Sequence, residues 1–430
     1  MSGVAPRRLH RSWSLRELVT ELRRGLTSPA AALERAQARI AETDPELLAW
    51  VEHCVEPDMT AASGPLGGVP LGVKDIIDVV GLPTRCGSAL RAAAAPATVD
   101  ATIVGAWRSA GAVPIGKTVT TEFAYFSPGP TRNPAALGHT PGGSSSGSAA
   151  AVASGQVPLA IGSQTAGSVT RPASYCGVAA LVMSHGRLPV DGVTGLSPSL
   201  DSHGVFAASA SDLAVAWSAL TGAADVGLGG SKRLPRVLVW SAAPLQVVGE
   251  TMRDGVERAT NQLVAAGATV AVFPDEQLVT EATMAHSVVM AYEAARERAD
   301  ELAVASQLSD PLATLLRTGA GISAQDYATA RRTVATAARR VAELLEAYDV
   351  VLGPAATGPA PLGLDATGDP VLSRAWQALG LPVVTVPGLT DDEGLPLGLQ
   401  IVGRPEGEDE LLEVACWVEP ILADRTLELR

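Results

Sequence analysis

The feature that most constrains this chain is a long segment without charge: residues 133–170 contain no Asp, Glu, Lys or Arg. The segment is rich in Ala, Ser and Gly, and it includes three prolines, Gln156 and Gln164. A membrane-spanning helix needs about 20 predominantly apolar residues, which this mixed composition does not provide. A flexible Gly/Ser linker is also disfavoured, because an apolar helix and strand separate the two serine-rich stretches. We therefore predict a buried loop, helix and strand inside a folded core.

The whole chain is long and apolar enough to surround such a core. It has 430 residues, of which 47% are hydrophobic, so a mainly disordered protein is excluded. At roughly 150 residues per domain the chain could hold two or three domains. The best internal connector is Thr221–Pro235, but the sequence after it has the same texture as part of the sequence before it. We therefore expect a single domain over residues 1–430.

Charge and residue counts exclude several classes of function. The net charge of −13 argues against a nucleic-acid surface, which needs a concentrated basic face. The basic N-terminus lacks the apolar run of a signal peptide, and the four cysteines are scattered, so a cytoplasmic protein with reduced thiols is expected. The six histidines show no metal-binding spacing. We therefore expect no metal, no cofactor, no nucleic-acid partner and no membrane partner.

Local patterns predict alternating strands and helices after two N-terminal helices. Ser14 to Glu17 has the spacing of a capping box, and Ser28-Pro29 opens a second helix. The later predicted elements are strand Val69–Val73, helix Thr98–Ala110, strand Val113–Ile115, strand Arg236–Trp240, a helix ending near Ala266, strand Thr269–Phe273, helices within residues 280–347 and strand Asp349–Gly353. Such alternation is typical of an α/β fold.

One motif fits a phosphate-binding loop in its letters but not in its setting. Gly111–Thr118 matches the pattern GxxxxGK[ST]. That chemistry needs a strand before the loop and a helix that begins at the lysine. Here a predicted helix precedes Gly111, and β-branched residues follow Lys117. Phosphate binding is therefore disfavoured.

A second motif resembles the nucleophile elbow of an α/β-hydrolase. Gly143–Gly147 matches GxSxG, which would make Ser145 the nucleophile. A true elbow follows a strand directly, whereas the residues before Gly143 are typical of a loop. Asp201 and His203 lie downstream, but nothing marks them as the partners of Ser145. This interpretation is also disfavoured.

Three other elements together suit acyl transfer: Gly68–Asp75, Pro141–Ser148 and Gly162–Ser168. A serine nucleophile needs a base, and backbone amides must face the developing oxyanion. The charge-free segment supplies no base, and the chain has only three lysines, Lys74, Lys117 and Lys232. A buried lysine can act as a neutral base. Lys232 lies in the Gly-rich connector and does not suit this role, but position alone leaves Lys74 and Lys117 undecided.

These elements resemble the amidase signature family of serine hydrolases. Lys74, PGGSSSGSAAAVASG at residues 141–155 and GSQTAGSVTRPASYCG at residues 162–177 occur in the family's order and spacing. The likeness extends over residues 65–213, and it continues more weakly in Ala378–Pro387 and Gly394–Pro405. It implies one large mixed β-sheet with helices on both sides. In this organisation residues 1–60 form N-terminal helices, 65–213 the core, and 236–430 the rest of the sheet and the substrate pocket.

The resemblance also implies a catalytic triad. Ser168 would be the nucleophile that forms the acyl-enzyme, and Ser144 would be the bridging serine, after a cis peptide bond from Gly143. Lys74 would be the base that takes a proton from Ser168 through Ser144. The oxyanion hole would come from the backbone amides of Thr165, Ala166, Gly167 and Ser168. The implied reaction is cofactor-free hydrolysis of a small amide, or of a carbamate or urea-like substrate. From the resemblance we also expect that the N-terminal helices mediate formation of a homodimer.

Departures from the family pattern leave the substrate open. Many members have Asp at the position of Gln164 and Gly at the positions of Ala166 and Ser146. Val182-Met183 replaces a usual Lys-Pro pair, a change that affects local packing and the pocket wall. We expect specificity to depend on Glu122–Phe126, Val182–Val190 and helices after residue 280. Two rival functions share the sequence pattern: the glutamine-hydrolysing component of a glutamine-dependent tRNA amidotransferase (its A subunit), and an inactive binding protein.

Overall fold

A computed structural model describes residues 9–54, 56–59, 63–228 and 233–423 of the chain. Eleven strands within these ranges form one mixed sheet, in the order β1-β3-β2-β4-β6-β5-β10-β11-β9-β7-β8. The strands are β1 Trp50–His53, β2 Pro70–Lys74, β3 Val113–Thr118, β4 Leu159–Gln164, β5 Ala179–Val182, β6 Ser202–Ala207, β7 Arg236–Val239, β8 Thr269–Val272, β9 Val350–Pro354, β10 Val383–Thr390 and β11 Pro396–Val402. The predicted α/β fold with a large mixed sheet is confirmed.

Thirteen α-helices accompany the sheet in the described part of the chain. They are α1 Leu15–Arg23, α2 Pro29–Leu47, α3 Thr102–Ser109, α4 Ser146–Ala153, α5 Thr170–Cys176, α6 Ala210–Thr221, α7 Glu250–Ala265, α8 Glu276–Glu297, α9 Ala299–Ala303, α10 Asp310–Gly321, α11 Ala324–Ala347, α12 Val371–Ala378 and α13 Glu408–Ala423. The first two helices begin as the sequence predicts. The Ser14 hydroxyl accepts from the Glu17 amide, and the Ser28 hydroxyl accepts from the Ala31 amide.

The charge-free segment forms the centre of the molecule. Every residue from 141 to 170 is buried, and this stretch contains α4 and β4. Its small side chains allow close packing: a Cβ on Gly147 would lie 2.3 Å from the Ala49 carbonyl oxygen. Charged side chains at such positions would lose hydration without gaining partners. The prediction of a buried loop, helix and strand is confirmed.

The parallel strands β3, β2 and β4 bring distant parts of the chain to one edge of the sheet. Val73 is paired with Ile161 of β4, and Lys74 is paired with Thr118 of β3. Parallel strands end on the same side of a sheet, and loops that carry chemistry gather there. Lys74 ends β2, and the turn at Thr165 follows the end of β4. The lysine and the serine-rich turn are therefore neighbours.

Several elements differ from the sequence-based expectations in their extent. The helix expected from Thr98 begins at Thr102, and β3 continues past Ile115 to Thr118. The N-terminal segment contributes strand β1, antiparallel to β3, in addition to its two helices. Lys232 lies outside the described residues. Among the helices that the structure describes, none is both long and apolar enough to cross a membrane.

Candidate active site

Lys74 is the last residue of β2, and its side chain is fully buried. Its Nζ donates a hydrogen bond of 2.7 Å to Ser144 Oγ. The same nitrogen lies 2.9 Å from Ser163 Oγ and 3.4 Å from the Ser163 carbonyl oxygen. Among the described residues, the Lys74 amino group thus has only neutral hydroxyl and carbonyl oxygens as hydrogen-bond partners.

Burial changes the acidity of this lysine. Desolvation lowers the pKa of Lys74 from 10.5 to about 7, while the charges of Asp201 and Cys86 act in the opposite direction. Burial penalises the charged form of an amine, so the neutral amine is populated near neutral pH. A neutral primary amine next to a hydroxyl is a competent general base.

Ser144 and Ser168 line the same small cavity. Its volume is about 20 Å³, and its other walls include Ala124, Thr165 to Gly167, Arg171, Leu196, Met290 and Pro370. The peptide bond between Gly143 and Ser144 is cis. The Ser145 amide donates a hydrogen bond of 3.2 Å to the Ser168 carbonyl oxygen, which ties the two serine-rich elements together. Ser144 and Ser168, the two serines that the resemblance implies for catalysis, therefore line one cavity.

The turn from Thr165 to Ser168 lines this cavity. Within the described residues, the amides of Ala166, Gly167 and Ser168 donate no hydrogen bond to other protein groups. Buried amides are nearly always satisfied, so unpaired ones at a cavity indicate room for an external acceptor. Gly167 has a steric reason to be glycine, because a Cβ there would lie 2.8 Å from Pro370 Cβ.

The side chains of Gln164 and Gln377 hold the turn from Thr165 to Ser168 in place. Gln164 Oε1 accepts hydrogen bonds from the amides of Val169 and Thr170, at distances of 2.9 and 3.0 Å. Gln164 Nε2 donates to Gln377 Oε1, and Gln377 Nε2 donates back to the Gln164 carbonyl oxygen. The side-chain oxygen of Gln164 is thus an acceptor for the start of α5.

Thr165 is held on both its backbone and its side chain. His286 Nε2, from α8, lies 2.8 Å from the Thr165 carbonyl oxygen, and the Thr165 hydroxyl donates to Asp201. Burial lowers the pKa of His286 to about 4, so its imidazole is neutral. A carbonyl oxygen only accepts, so Nε2 carries the ring proton in this contact. Neither partner of Thr165 was singled out for this role from the sequence.

Arg171 is a buried cation beside the same cavity. Its Nη2 donates to the Gly143 carbonyl oxygen at 2.7 Å and to Thr367 Oγ1 at 3.2 Å. Its Nε and Nη1 are buried without a hydrogen-bond partner in the described part of the chain. Burial lowers the pKa of Arg171 to about 10, which still leaves the guanidinium charged at neutral pH.

The second candidate lysine has a different environment. Lys117 Nζ forms an ion pair of 3.1 Å with Asp75 Oδ1, and both side chains are fully buried. The same nitrogen donates to Thr84 Oγ1 at 2.9 Å. Gly116 and Lys117 lie within strand β3, so Gly111–Thr118 does not form a phosphate loop. The side chain of Lys117 is thus held in a buried ion pair with Asp75.

The alternative hydrolase triad does not assemble. Ser145 Oγ is buried and donates to the Ser163 carbonyl oxygen at 3.3 Å. His203 Nε2 contacts the Pro189 carbonyl oxygen at 2.8 Å, while Asp201 accepts from Thr165 and from the amides of residues 196 and 197. These contacts occupy the three groups separately, which agrees with the disfavoured status of this motif.

A larger outer chamber adjoins the catalytic cavity. It encloses about 480 Å³, and Tyr125 and Met290 line both spaces. Residues 124–126 form part of the boundary, and Ala124 and Phe126 have positive φ angles of 61° and 37°. Non-glycine residues rarely adopt such angles, and they cluster at functional sites. The chamber wall includes Tyr125 and residues of α8, α10 and α12. Val190 lines another cavity, of about 90 Å³, which shares Ala124, Thr165 and Leu196 with the catalytic cavity.

Two further observations concern metals and residues that sequence reasoning missed. Across the described ranges, no group of three or more His, Cys, Asp or Glu side chains is placed to hold a metal ion. Sequence reasoning gave no role to Ser163, Arg171 or His286. Ser163 had a usable signal, because it lies within the quoted motif at residues 162–177. His286 had no such signal in the sequence, because it lies 121 positions from Thr165.

Comparisons with known proteins show what the chain is similar to. The sequence profile of the Amidase family matches residues 30–412. AtzE, a component of the 1-carboxybiuret hydrolase of Pseudomonas sp. (strain ADP), is 32% identical, over 91% of this chain and 95% of that protein. The A subunit of the glutamyl-tRNA(Gln) amidotransferase of Lysinibacillus sphaericus is 30% identical, over 94% of this chain and 95% of that protein. The crystal structure of an amidase superposes with a TM-score of 0.83 at 28% identity, covering 95% of this chain and 98% of that chain.

Proposed function

Because the chain belongs to the amidase family, whose enzymes act on C–N bonds, we propose that it hydrolyses a small amide through an acyl-enzyme on Ser168. The triad consists of Ser168, Ser144 and Lys74. The observation that carries the proposal is the buried Lys74 amine, 2.7 Å from Ser144 Oγ, in a site where Ser144 and Ser168 share one cavity. Carbamates and urea-like substrates offer the same carbonyl and C–N bond, and they fall within the proposal.

The first half of the reaction forms the acyl-enzyme. Ser168 Oγ attacks the substrate carbonyl carbon while its proton passes to Ser144 Oγ, and Ser144 gives its own proton to the neutral Lys74 amine. The carbonyl oxygen becomes an oxyanion that accepts hydrogen bonds from the amides of Thr165, Ala166, Gly167 and Ser168. As the C–N bond breaks, the Lys74 ammonium returns the proton through Ser144 to the leaving nitrogen. Ammonia or an amine departs.

The second half of the reaction consumes one water molecule. The water oxygen attacks the ester carbonyl, and its proton passes to Lys74 through Ser144. The C–O bond to Ser168 then breaks, and the proton returns to Ser168 Oγ. The products are the carboxylic acid and the free enzyme.

A fluorophosphonate probe tests the assignment of the nucleophile. Such probes phosphonylate activated serines, so we expect one label, mapped by peptide mass spectrometry to Ser168. Ser168→Ala should lose the label and reduce amide hydrolysis at least about a thousandfold. Ser145→Ala is the matched control one residue from Ser144, and it should keep the label and at least partial activity. A label on Ser145, or none under conditions that label a known amidase, contradicts the proposal.

Two rival functions remain testable with the same reagents. The role of an amidotransferase A subunit is favoured by one observation, the 30% identity with the Lysinibacillus protein of that name. Such a chain would hydrolyse glutamine and pass ammonia to its partners, so hydrolysis by the isolated chain, together with a pull-down that yields no partner, rejects this function. An inactive binding protein would take no label at Ser168. A screen of aliphatic, aromatic, carbamate and ureido amides then assigns the substrate class.

A further inference from the structure

The outer chamber contains a cation that the proposed hydrolysis does not use. Arg374 lies in its wall, on helix α12. Pro370, four residues earlier and directly before the helix, lines the catalytic cavity. Residues four positions apart lie on the same face of a helix. Arg374 therefore faces the space next to the reacting serine.

The guanidinium of Arg374 is weakly bonded to the protein. Its Nη1 donates to Ser287 Oγ at 3.4 Å, near the upper limit for a hydrogen bond, and its Nη2 lies 3.9 Å from Asp369 Oδ1. Its Nε is buried without a partner among the described residues. An arginine offers five N–H donors in a planar fork. Most of the donor capacity of Arg374 is thus left for another group.

The neighbouring charges do not neutralise this arginine. Asp369 is half-exposed and distant, and an ion pair of that kind contributes little. Asp310, an acid in the chamber wall, lies in the first turn of α10, where the helix dipole already stabilises a carboxylate. Arg171 adds a second cation beside the catalytic cavity, with two donor nitrogens unpaired among the described residues. The space around Ser168 therefore favours a substrate with negative charge.

We propose that the substrate is an amide that also carries a carboxylate, and that Arg374 binds this carboxylate in the outer chamber. Paired N–H donors on a planar guanidinium match the two oxygens of a carboxylate. Binding there places the rest of the molecule toward Ser168, past Tyr125 and Met290, which line both spaces. The proposal rests on the proposed amide hydrolysis and adds the class of substrate.

Matched substrate pairs test the inference. Each pair is a primary amide with a terminal carboxylate and a neutral amide of similar length: succinamate with butanamide, glutaramate with pentanamide, and adipamate with hexanamide. We expect kcat/KM to favour the carboxylate in at least one pair by roughly tenfold to a hundredfold. Arg374→Gln should reduce this preference to near parity, mainly through KM, and Arg374→Lys should retain part of it. Arg339→Gln, an exposed arginine of α11, is the control with the same charge change and should keep the full preference.

Protection of Ser168 from a fluorophosphonate gives a second readout that needs no turnover. Succinate, glutarate or adipate should slow labelling of the parent protein and of Arg339→Gln, but not of Arg374→Gln. Labelled Ser168 without any preference or protection, or a preference that survives in Arg374→Gln, overturns the inference and leaves the proposed function standing. A preference for amides with a terminal amine, which Asp310 would bind, also overturns it. If Ser168 is not labelled and no amide is cleaved, the proposed function fails, and this inference fails with it.

Discussion

At the scale of single residues, the ionisation of Lys74 determines when the proposed triad works. Burial lowers the pKa of Lys74 to about 7, and only the neutral amine can accept a proton from Ser144. We therefore expect kcat/KM to rise with pH through an apparent pKa near 7 and to level off above it. Below that pKa the rate should fall about tenfold per pH unit, because the fraction of neutral amine falls by that factor. Initial rates with a neutral amide between about pH 5.5 and 9 measure this. A flat profile contradicts a titrating base.

The same lysine gives a prediction that separates catalysis from folding. Lys74 has a lower pKa in the folded protein than its ordinary value of 10.5, so the unfolded chain binds more protons between about pH 7 and 10.5. The contribution of Lys74 to stability therefore increases with pH across this window and is unfavourable at its lower end. We expect Lys74→Met to be inactive but at least as stable as the parent protein at pH 7. Urea unfolding at pH 7 and pH 9 tests this, since a large loss of stability at pH 7 would indicate a structural role.

At the scale of elements, the ion pair between Lys117 and Asp75 joins β3 to the end of β2. Both groups are fully buried, so removal of one leaves an uncompensated charge in the core. We expect Lys117→Met to lower the free energy of unfolding by about 3–5 kcal/mol. The double variant Lys117→Met, Asp75→Leu should recover a substantial part of that loss, because it leaves no unpaired charge. Guanidinium unfolding of both variants is the measurement, and additive losses would contradict strong coupling.

Helix α8 contributes to the site through the position of one peptide group. His286 Nε2 binds the Thr165 carbonyl oxygen, and a planar trans peptide directs its N–H opposite to its C=O. The Ala166 amide, proposed for the oxyanion hole, is thereby oriented. We expect His286→Phe to lower kcat roughly tenfold to a hundredfold with little change in KM. His286→Gln, which keeps an N–H donor, should restore part of kcat. Equal loss in both variants, or a change confined to KM, contradicts this positioning role.

Sequence alone could predict the elements of the site but not all of its contacts. The assignment of Lys74 and Ser168 comes from the resemblance to the amidase signature family, because the motifs that contain them occur in the family's order and spacing. Lys117 could not be separated from Lys74 by position, since that needs the register: Lys117 is paired with Val73 and Thr118 with Lys74, so the two lysines point to opposite faces. His286 and Arg374 reach the site through tertiary packing, which no local pattern predicts.

At the scale of the whole molecule, one chain supplies every group of the proposed reaction. Lys74 comes from β2, the serines from the segment between β3 and α5, and the outer chamber from α8, α10 and α12. All of these elements lie in, or pack against, a single sheet that includes strands from both halves of the sequence. Activity should therefore need neither a different protein nor a second copy of the chain, although relatives act as subunits.

This independence predicts a first-order dependence of rate on enzyme. We expect kcat per Ser168, counted by fluorophosphonate titration, to stay constant when the purified chain is diluted through any dimer dissociation observed by light scattering. A site completed by a second copy would lose activity on dilution, because the fraction of dimer falls with concentration.

Glutamine provides the complementary test. An amidotransferase component that depends on its partners should cleave glutamine only after they are added, whereas an independent amidase should cleave its preferred amide at the same rate with or without them.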